Sequence, residues 1–146
     1  MIFTNAVKKR IFDIIFSFIG IIFVIPLIIP FIFLIWLQDF ENPFYISDRV
    51  GLNFRKFKII KLRSMIVKAD KSKVDSTSAN DPRITKVGSI IRKLKFDELT
   101  QLFNVFKGEM SFVGPRPNVE RETNLYSNKE KELLKIKPGI TDFASI

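Results

Sequence analysis

Hydrophobic and polar positions follow one rule up to residue 40 and another beyond it. From Ile14 to Leu37 no side chain is charged, and Ile and Phe dominate these 24 residues, relieved only by Ser17, Gly20 and two prolines. An uncharged apolar run of about 18 residues or more is a membrane signal rather than a soluble-core signal. Beyond it the apolar positions fall into short periodic groups. Phe44-Tyr45-Ile46, after a turn-like Glu41-Asn42-Pro43, predicts a short strand, and Arg49 to Asn53 a turn. Phe57 to Leu62, with Lys58 and Lys61 interleaved, predicts the partner strand of a hairpin. Residues 68–86 are polar and predict a loop. Val87, Ile90, Ile91 and Leu94 then recur at helical spacing. Leu99, Leu102, Phe103 and Phe106 repeat it, with Asp97 placed as an N-cap and Gly108 as a stop. Ser111-Phe112-Val113 predicts an extended piece before the rigid Gly114-Pro115-Arg116-Pro117, and residues 119–135 a charged surface helix closed by Lys137-Pro138-Gly139. The fold class is therefore α/β, with residues 1–40 as a membrane segment. Residues 41–146 form a small domain of amphipathic helices and a short β-hairpin or sheet.

The apolar run admits three forms. A cleavable signal has an apolar centre of about 7–15 residues ending at small residues, and no such end occurs here. A straight spanning helix fits on length alone. A re-entrant helix-break-helix is favoured by two features. Pro26 and Pro30 lie in the middle, where each withdraws a backbone donor and crowds the preceding turn. The arm from Ile11 to Ile25 also rises only roughly 22 Å, against a hydrocarbon core of about 30 Å. Lys8, Lys9 and Arg10 precede the run, and Arg49, Arg55, Lys56 and Lys58 follow it. The positive-inside rule places both ends in the cytoplasm, which a single straight crossing cannot satisfy. Trp36 suits an interfacial anchor at the exit.

Composition narrows the chemistry. The chain has 146 residues, 24 Lys plus Arg against 15 Asp plus Glu, and no His or Cys. An imidazole base, a Ser-His-Asp triad, a thiolate nucleophile and His- or Cys-ligated zinc are all excluded. Carboxylates, Lys, Arg, hydroxyls and a hard oxygen-bound cation remain. Asp97-Glu98 is the sharpest candidate, two adjacent carboxylates at a helix start, where free N–H groups and the helix dipole favour negative charge. The same pattern is an ordinary helix start. Its company distinguishes it, with Arg92, Lys93 and Lys95 just upstream and Arg116 downstream between two prolines. A rigidly presented guanidinium suits bidentate phosphate binding, although a structural ion pair in a turn fits as well. Lys61 and Arg63 on the predicted strand could join it. The common glycine-rich nucleotide fingerprints are absent.

These stretches together resemble a family. Lys9-Arg10-Ile11-Phe12-Asp13, Arg49-Val50-Gly51, Phe57 to Met65 and Asn80-Asp81-Pro82-Arg83-Ile84-Thr85 match in order. So do Val87-Gly88, Arg92-Lys93, Asp97-Glu98-Leu99-Thr100-Gln101-Leu102-Phe103-Asn104-Val105, Gly108 to Pro117 and Lys137 to Thr141. The chain is similar to the small monotopic polyprenyl-phosphate phosphoglycosyl transferases, bacterial sugar transferases that start membrane-linked glycan assembly. The resemblance implies that Asp97 is a nucleophile toward the β-phosphate of a nucleoside-diphosphate sugar, a UDP-sugar in most members. It implies that Glu98 holds Mg²⁺, that Lys61, Arg92 and Arg116 bind phosphate, and that polyprenyl phosphate is the acceptor. It also implies a re-entrant hairpin in the bacterial inner membrane, broken near Pro26, with the catalytic domain on the cytoplasmic face. The physics is compatible, because carboxylate nucleophiles form covalent intermediates and phosphoryl transfer is mostly positioning and charge neutralisation.

Several positions depart from the family pattern, Ser47-Asp48, Asp142 and Ser145 among them. Ile25 replaces the usual Ser before Pro26, with Pro30 additional, and Thr100 replaces a proline in the dyad helix. Family chains also continue beyond the position of Ile146, so residues 41–146 are expected to be a C-terminally shortened catalytic domain. Two other functions fit the composition: a membrane-tethered basic binding module and an inactive family member. The basic residues are dispersed and no nucleic-acid motif occurs, so no nucleic-acid partner is expected.

Overall fold

The computed structural model describes residues 2–69 and 81–142, with only the backbone described for residues 2–5. The central part of the polar 68–86 segment, including Asn80 of the Asn-Asp-Pro motif, and residues 143–146 lie outside the described residues.

The apolar run forms a single helix, α1 (Ile2–Asp39), with Pro26 and Pro30 inside it. No interruption of the helix marks the expected break at Pro26, and one helical element carries both prolines. Both prolines are exposed, on the side away from the domain. The docked side is one stripe: Asp13, Ser17, Gly20, Val24, Ile28, Phe31 and Ile35 are buried or half-buried at spacings of three or four, in phase through both prolines. The other side leaves Phe12, Phe16, Ile19, Phe23, Ile29, Phe33 and Leu37 exposed. Residues Ala6–Asp39 are long and apolar enough to cross a membrane.

Polar contacts fasten both ends of this helix to the same domain. Arg10 donates to the carbonyls of Val105 and Phe106 at 2.7 and 2.8 Å, and Lys9 Nζ donates to that of Val113 at 2.9 Å. Buried Asp13 accepts from Ser111 Oγ at 3.1 Å and from Phe112 N–H at 3.3 Å. At the far end Arg63 holds Asp39 bidentately at 2.6 and 2.7 Å.

β1 (Phe44–Val50) and β2 (Lys56–Leu62) form the expected antiparallel hairpin, with Phe44 opposite Leu62 and Val50 opposite Lys56. Its turn is one 3₁₀ element, Leu52–Phe54. α2 (Lys86–Lys93) is capped by Thr85, whose hydroxyl accepts from Gly88 N–H. Gly88 is there because a Cβ would overlap the carbonyl of Ser64. The long second helix expected from Asp97 is divided into α3 (Phe96–Leu99) and α4 (Leu102–Lys107). Asp97 is not its N-cap: that place belongs to Lys95, in the left-handed region at φ 59°. Gly108 ends α4 at φ +91°, as its sequence position predicts.

β3 (Ser111–Val113) pairs in parallel with β4 (Gly139–Thr141). The single surface helix expected over residues 119–135 is corrected to α5 (Glu120–Thr123), α6 (Asn128–Lys131) and a 3₁₀ turn, Glu132–Lys135. The cause is local. Ser127 makes a capping box with Glu130, starting a new helix where the charge pattern alone suggested continuation.

Two apolar clusters hold these parts together. Ile28 and Ile35 of α1 meet Leu62 and Ile91 in one, with Phe96 and Leu99 of α3 packed against it. Phe57, Ile59, Val105 and Met110 form the other, with Phe112 and Ile140 against it.

Candidate active site

β2 and the α3–α4 pair build the site. Alternation along β2 puts Lys61 on the same face as Phe57 and Ile59, the side that meets α4. Lys61 Nζ reaches Glu98 Oε1 at 2.8 Å. Asp97 precedes Glu98 in the first turn of α3 and is half-buried. Its Oδ1 is fully buried and has no hydrogen-bond partner, one of only two such side-chain atoms among the described residues. An orphaned carboxylate oxygen is costly to keep, and such groups concentrate where function retains them.

The two carboxylates are tuned in opposite directions. Burial raises the Asp97 pKa above the ordinary carboxylate range. The Lys61 charge opposes this, and the Glu98 charge adds to it. Burial pushes Glu98 up as well, but the Lys61 hydrogen bond and the charges of Lys61, Arg116 and Lys95 outweigh it, leaving Glu98 below its ordinary value. Neighbouring acids held apart in this way suit different roles.

Of the sequence-predicted residues, Asp97, Glu98 and Lys61 are in direct contact or adjacent. The positive charge of Arg92 reaches Asp97, and that of Arg116 reaches Glu98. Neither guanidinium is committed to a hydrogen bond or ion pair among the described residues, so both stay available to an anion. Two carboxylates fit Mg²⁺ of the kind held by one or two protein carboxylates together with substrate phosphates. The orphaned Asp97 Oδ1 and the hard-oxygen donors of Glu98 match that demand. No cluster of three or more metal-ligating side chains occurs among the described residues, so a closed protein cage is not built.

Two residues without an assigned role in the sequence fix the geometry. Thr100 and Asn104 are both fully buried. Thr100 Oγ1 donates to the Ile60 carbonyl at 2.8 Å. Asn104 Oδ1 accepts from Ile60 N–H at 3.2 Å, and its Nδ2 donates to the Lys58 carbonyl and to Glu109 Oε2, each at 2.7 Å. Side chains of the dyad segment thereby satisfy the strand edge beside Lys61. A proline at position 100 could not donate this bond. The signal in the sequence was two polar residues among the apolar positions of a helix, a pattern that marks buried polar anchors.

Comparison with known proteins identifies the family of the chain. A family model described as bacterial sugar transferase matches residues 4–146. A Bacillus subtilis (strain 168) protein named "Putative undecaprenyl-phosphate N-acetylgalactosaminyl 1-phosphate transferase" is 43% identical over 121 residues, covering 83% of this chain and 68% of the relative. The exopolysaccharide production protein ExoY of Sinorhizobium fredii is 37% identical over 152 residues, covering 94% of this chain and 67% of its own. The UDP-galactose-lipid carrier transferase of Erwinia amylovora is 38% identical over 148 residues, covering 91% of this chain but 31% of its own. The chain thus spans about two thirds of the length of the first two relatives and about a third of the last. With the match running from residue 4 to residue 146 and through the whole dyad region, the chain belongs to the bacterial sugar transferase family.

Proposed function

We propose that this chain moves a phosphosugar from a UDP-sugar to polyprenyl phosphate through a covalent intermediate on Asp97. The observation that carries the reading is the buried, unpartnered Asp97 Oδ1 beside the Lys61–Glu98 pair. A desolvated carboxylate oxygen with no donor is a better nucleophile than a hydrated one. It attacks the β-phosphorus of the donor. The bond from that phosphorus to the bridging oxygen breaks, and UMP leaves with the electron pair. An oxygen of polyprenyl phosphate then attacks the phosphorus of the aspartyl phosphosugar. The Asp97 carboxylate is released and a polyprenyl-diphosphate sugar is formed. Relatives named for UDP-galactose, undecaprenyl phosphate and lipid carrier support both substrates.

Lys61 holds Glu98 ionised and oriented. Arg92, whose charge reaches Asp97, and Arg116, whose charge reaches Glu98, neutralise diphosphate charge. Glu98, with Asp97 beside it, would hold Mg²⁺, which supplies further charge neutralisation on the phosphates when bound. The docked stripe of α1 supports a membrane arrangement in which both helix ends stay on the cytoplasmic face. Asp13 and Ile35 are 22 residues apart, so the docked length is roughly 33 Å, about the full hydrocarbon thickness. A crossing helix would drag the polar domain into lipid. A helix that stays on the cytoplasmic face, bending at Pro26 and Pro30 and turning only its far side to lipid, would not.

Intact-protein mass analysis after mixing with UDP-sugars tests the chemistry. A phosphosugar adduct is expected on the wild type and none on Asp97→Asn. UMP release by Asp97→Asn at the wild-type rate refutes the nucleophile. Accessibility labelling of positions 2 and 70 tests the topology, with both on one side expected and opposite sides restoring the straight span.

A further inference from the structure

Beside the dyad lies a cavity of about 260 Å³, lined by Lys95, Glu98, Leu99, Leu102, Phe112 and Ile140. It is smaller than the roughly 300–1,000 Å³ of sites that enclose a drug-sized molecule. That size suits a short segment of a longer molecule. The two charged residues are Lys95, the N-cap of α3, and Glu98 within it, and the other four walls carry no side-chain hydrogen-bonding group. Two of those walls also touch the membrane helix. Leu102 packs against Gly20, whose Cβ would stand 3.0 Å from Leu102 Cδ1. The Phe112 ring meets Phe12 edge-on at 6.0 Å, and Phe12 belongs to the exposed apolar side of α1.

We propose that this groove holds the first isoprene units of the lipid acceptor. The phosphate lies toward the cations at the polar end, Lys95 and Arg116, and the chain leaves along α1. The proposal rests on the reading of polyprenyl phosphate as acceptor, and adds where and how that acceptor is recognised. Polarity along the groove selects the occupant: its wall is apolar except at one end, where the Lys95 cation lines it beside Glu98 and the charge of Arg116 also reaches. That profile matches an amphiphile with an anionic head. A nucleobase or a sugar ring needs donors and acceptors along its edges, and Leu99, Leu102, Phe112 and Ile140 offer none from their side chains.

The test uses the full chain in lipid nanodiscs and a prenyl phosphate carrying a diazirine on its first isoprene unit. After irradiation, labelled peptides are mapped by mass spectrometry. Label within residues 95–102 or at residues 112 and 140, suppressed by unlabelled prenyl phosphate, is expected. Label confined to the exposed side of α1 or elsewhere overturns the groove. So does label that UDP suppresses and prenyl phosphate does not, because the groove then belongs to the donor. Ile140→Trp supplies a second readout. In the wild type the acceptor KM should fall as the acceptor lengthens from one isoprene unit to three. Filling the groove should flatten that dependence by about tenfold or more, since each apolar carbon lost from contact costs severalfold in affinity. An unchanged length dependence in a folded Ile140→Trp protein also overturns the proposal. UMP release from the donor alone is scored separately. Its absence in the wild type defeats the reaction reading while leaving the labelling result to stand on its own.

Discussion

Asn104 offers the sharpest test of how the dyad is held. Replacing it with Ala removes the bond accepted from Ile60 N–H and the bonds given to the Lys58 carbonyl and Glu109. Neutral bonds of this kind contribute about 1 kcal/mol each and the charged one about 1.5–3. The residue is fully buried, so water does not simply replace the lost partners. Asn104→Ala should therefore cost about 3–5 kcal/mol, and the melting temperature in nanodiscs should fall by about 10 °C at roughly 2–4 °C per kcal/mol. Asn104→Asp is the discriminating companion. It keeps the acceptor for Ile60 but loses both donations and sets a second carboxylate against Glu109. It should melt lower than the Ala variant, and the difference should narrow in acid as the carboxylates take up protons. A shift below about 3 °C for Ala, or an Asp variant as stable as wild type, refutes the clasp and with it the orientation of the amide.

Three further variants have outcomes that follow from the structure. Lys61→Met removes both the bond that lowers Glu98 and a charge that lowers Asp97, so the acid limb of UMP release should move to higher pH. A limb that stays in place refutes the coupling. In the same variant the loss of stability in acid should be blunted. The stability that Glu98 contributes through its lowered pKa is present above the unfolded value and lost as pH falls through the folded value. Asp97, raised, acts in the opposite sense, its contribution being lost as pH rises through its folded value. Gly88→Ala drives a Cβ into the Ser64 carbonyl and should destabilise by about 1–3 kcal/mol despite the better helix propensity of Ala, and an unchanged or higher melting temperature counts against the packing. Arg10→Ala removes two donations to the last carbonyls of α4, costing about 1–3 kcal/mol, and should make α1 more open to limited proteolysis in nanodiscs.

Elements with a local cause were legible in the sequence. The hairpin followed from alternation between Phe57 and Leu62, and the end of α4 from Gly108. The Lys61–Glu98 contact was not legible. Its partners lie 37 residues apart and meet only because β2 runs beside α3, a tertiary fact that no local pattern carries. The division between α3 and α4 was hidden for a related reason. Apolar spacing from Leu99 to Phe106 stays helical across the junction, whereas Thr100 and Gln101 are buried there, with Thr100 tied to Ile60. The orphaned Asp97 oxygen could not be foreseen either, because burial of one carboxylate oxygen depends on what packs over it.

α1 shows the opposite failure, in which a strong signal concealed a weaker one. Where nearly every residue is Ile, Phe or Leu, amphipathic periodicity vanishes from the composition, and only the prolines remain to be read. Both withdraw a donor, yet both stand on the exposed side, where the freed carbonyls of Ile22 and Pro26 disturb no contact with the domain. The docked stripe therefore keeps its phase past residues 26 and 30. Its trace in the sequence is Asp13, Ser17 and Gly20, spaced four and three. In the first arm these non-apolar residues are the ones turned toward the domain. Asp13 binds Ser111, Ser17 returns its hydroxyl to Ile14, and Gly20 admits Leu102. Inside an apolar helix, a polar or small residue marks the face that meets protein, since lipid would leave Asp13 without a partner. On that reading, the family-matching Lys9-to-Asp13 stretch does more than collar a membrane segment. It fixes which side of α1 carries the domain, and so which apolar side is left exposed.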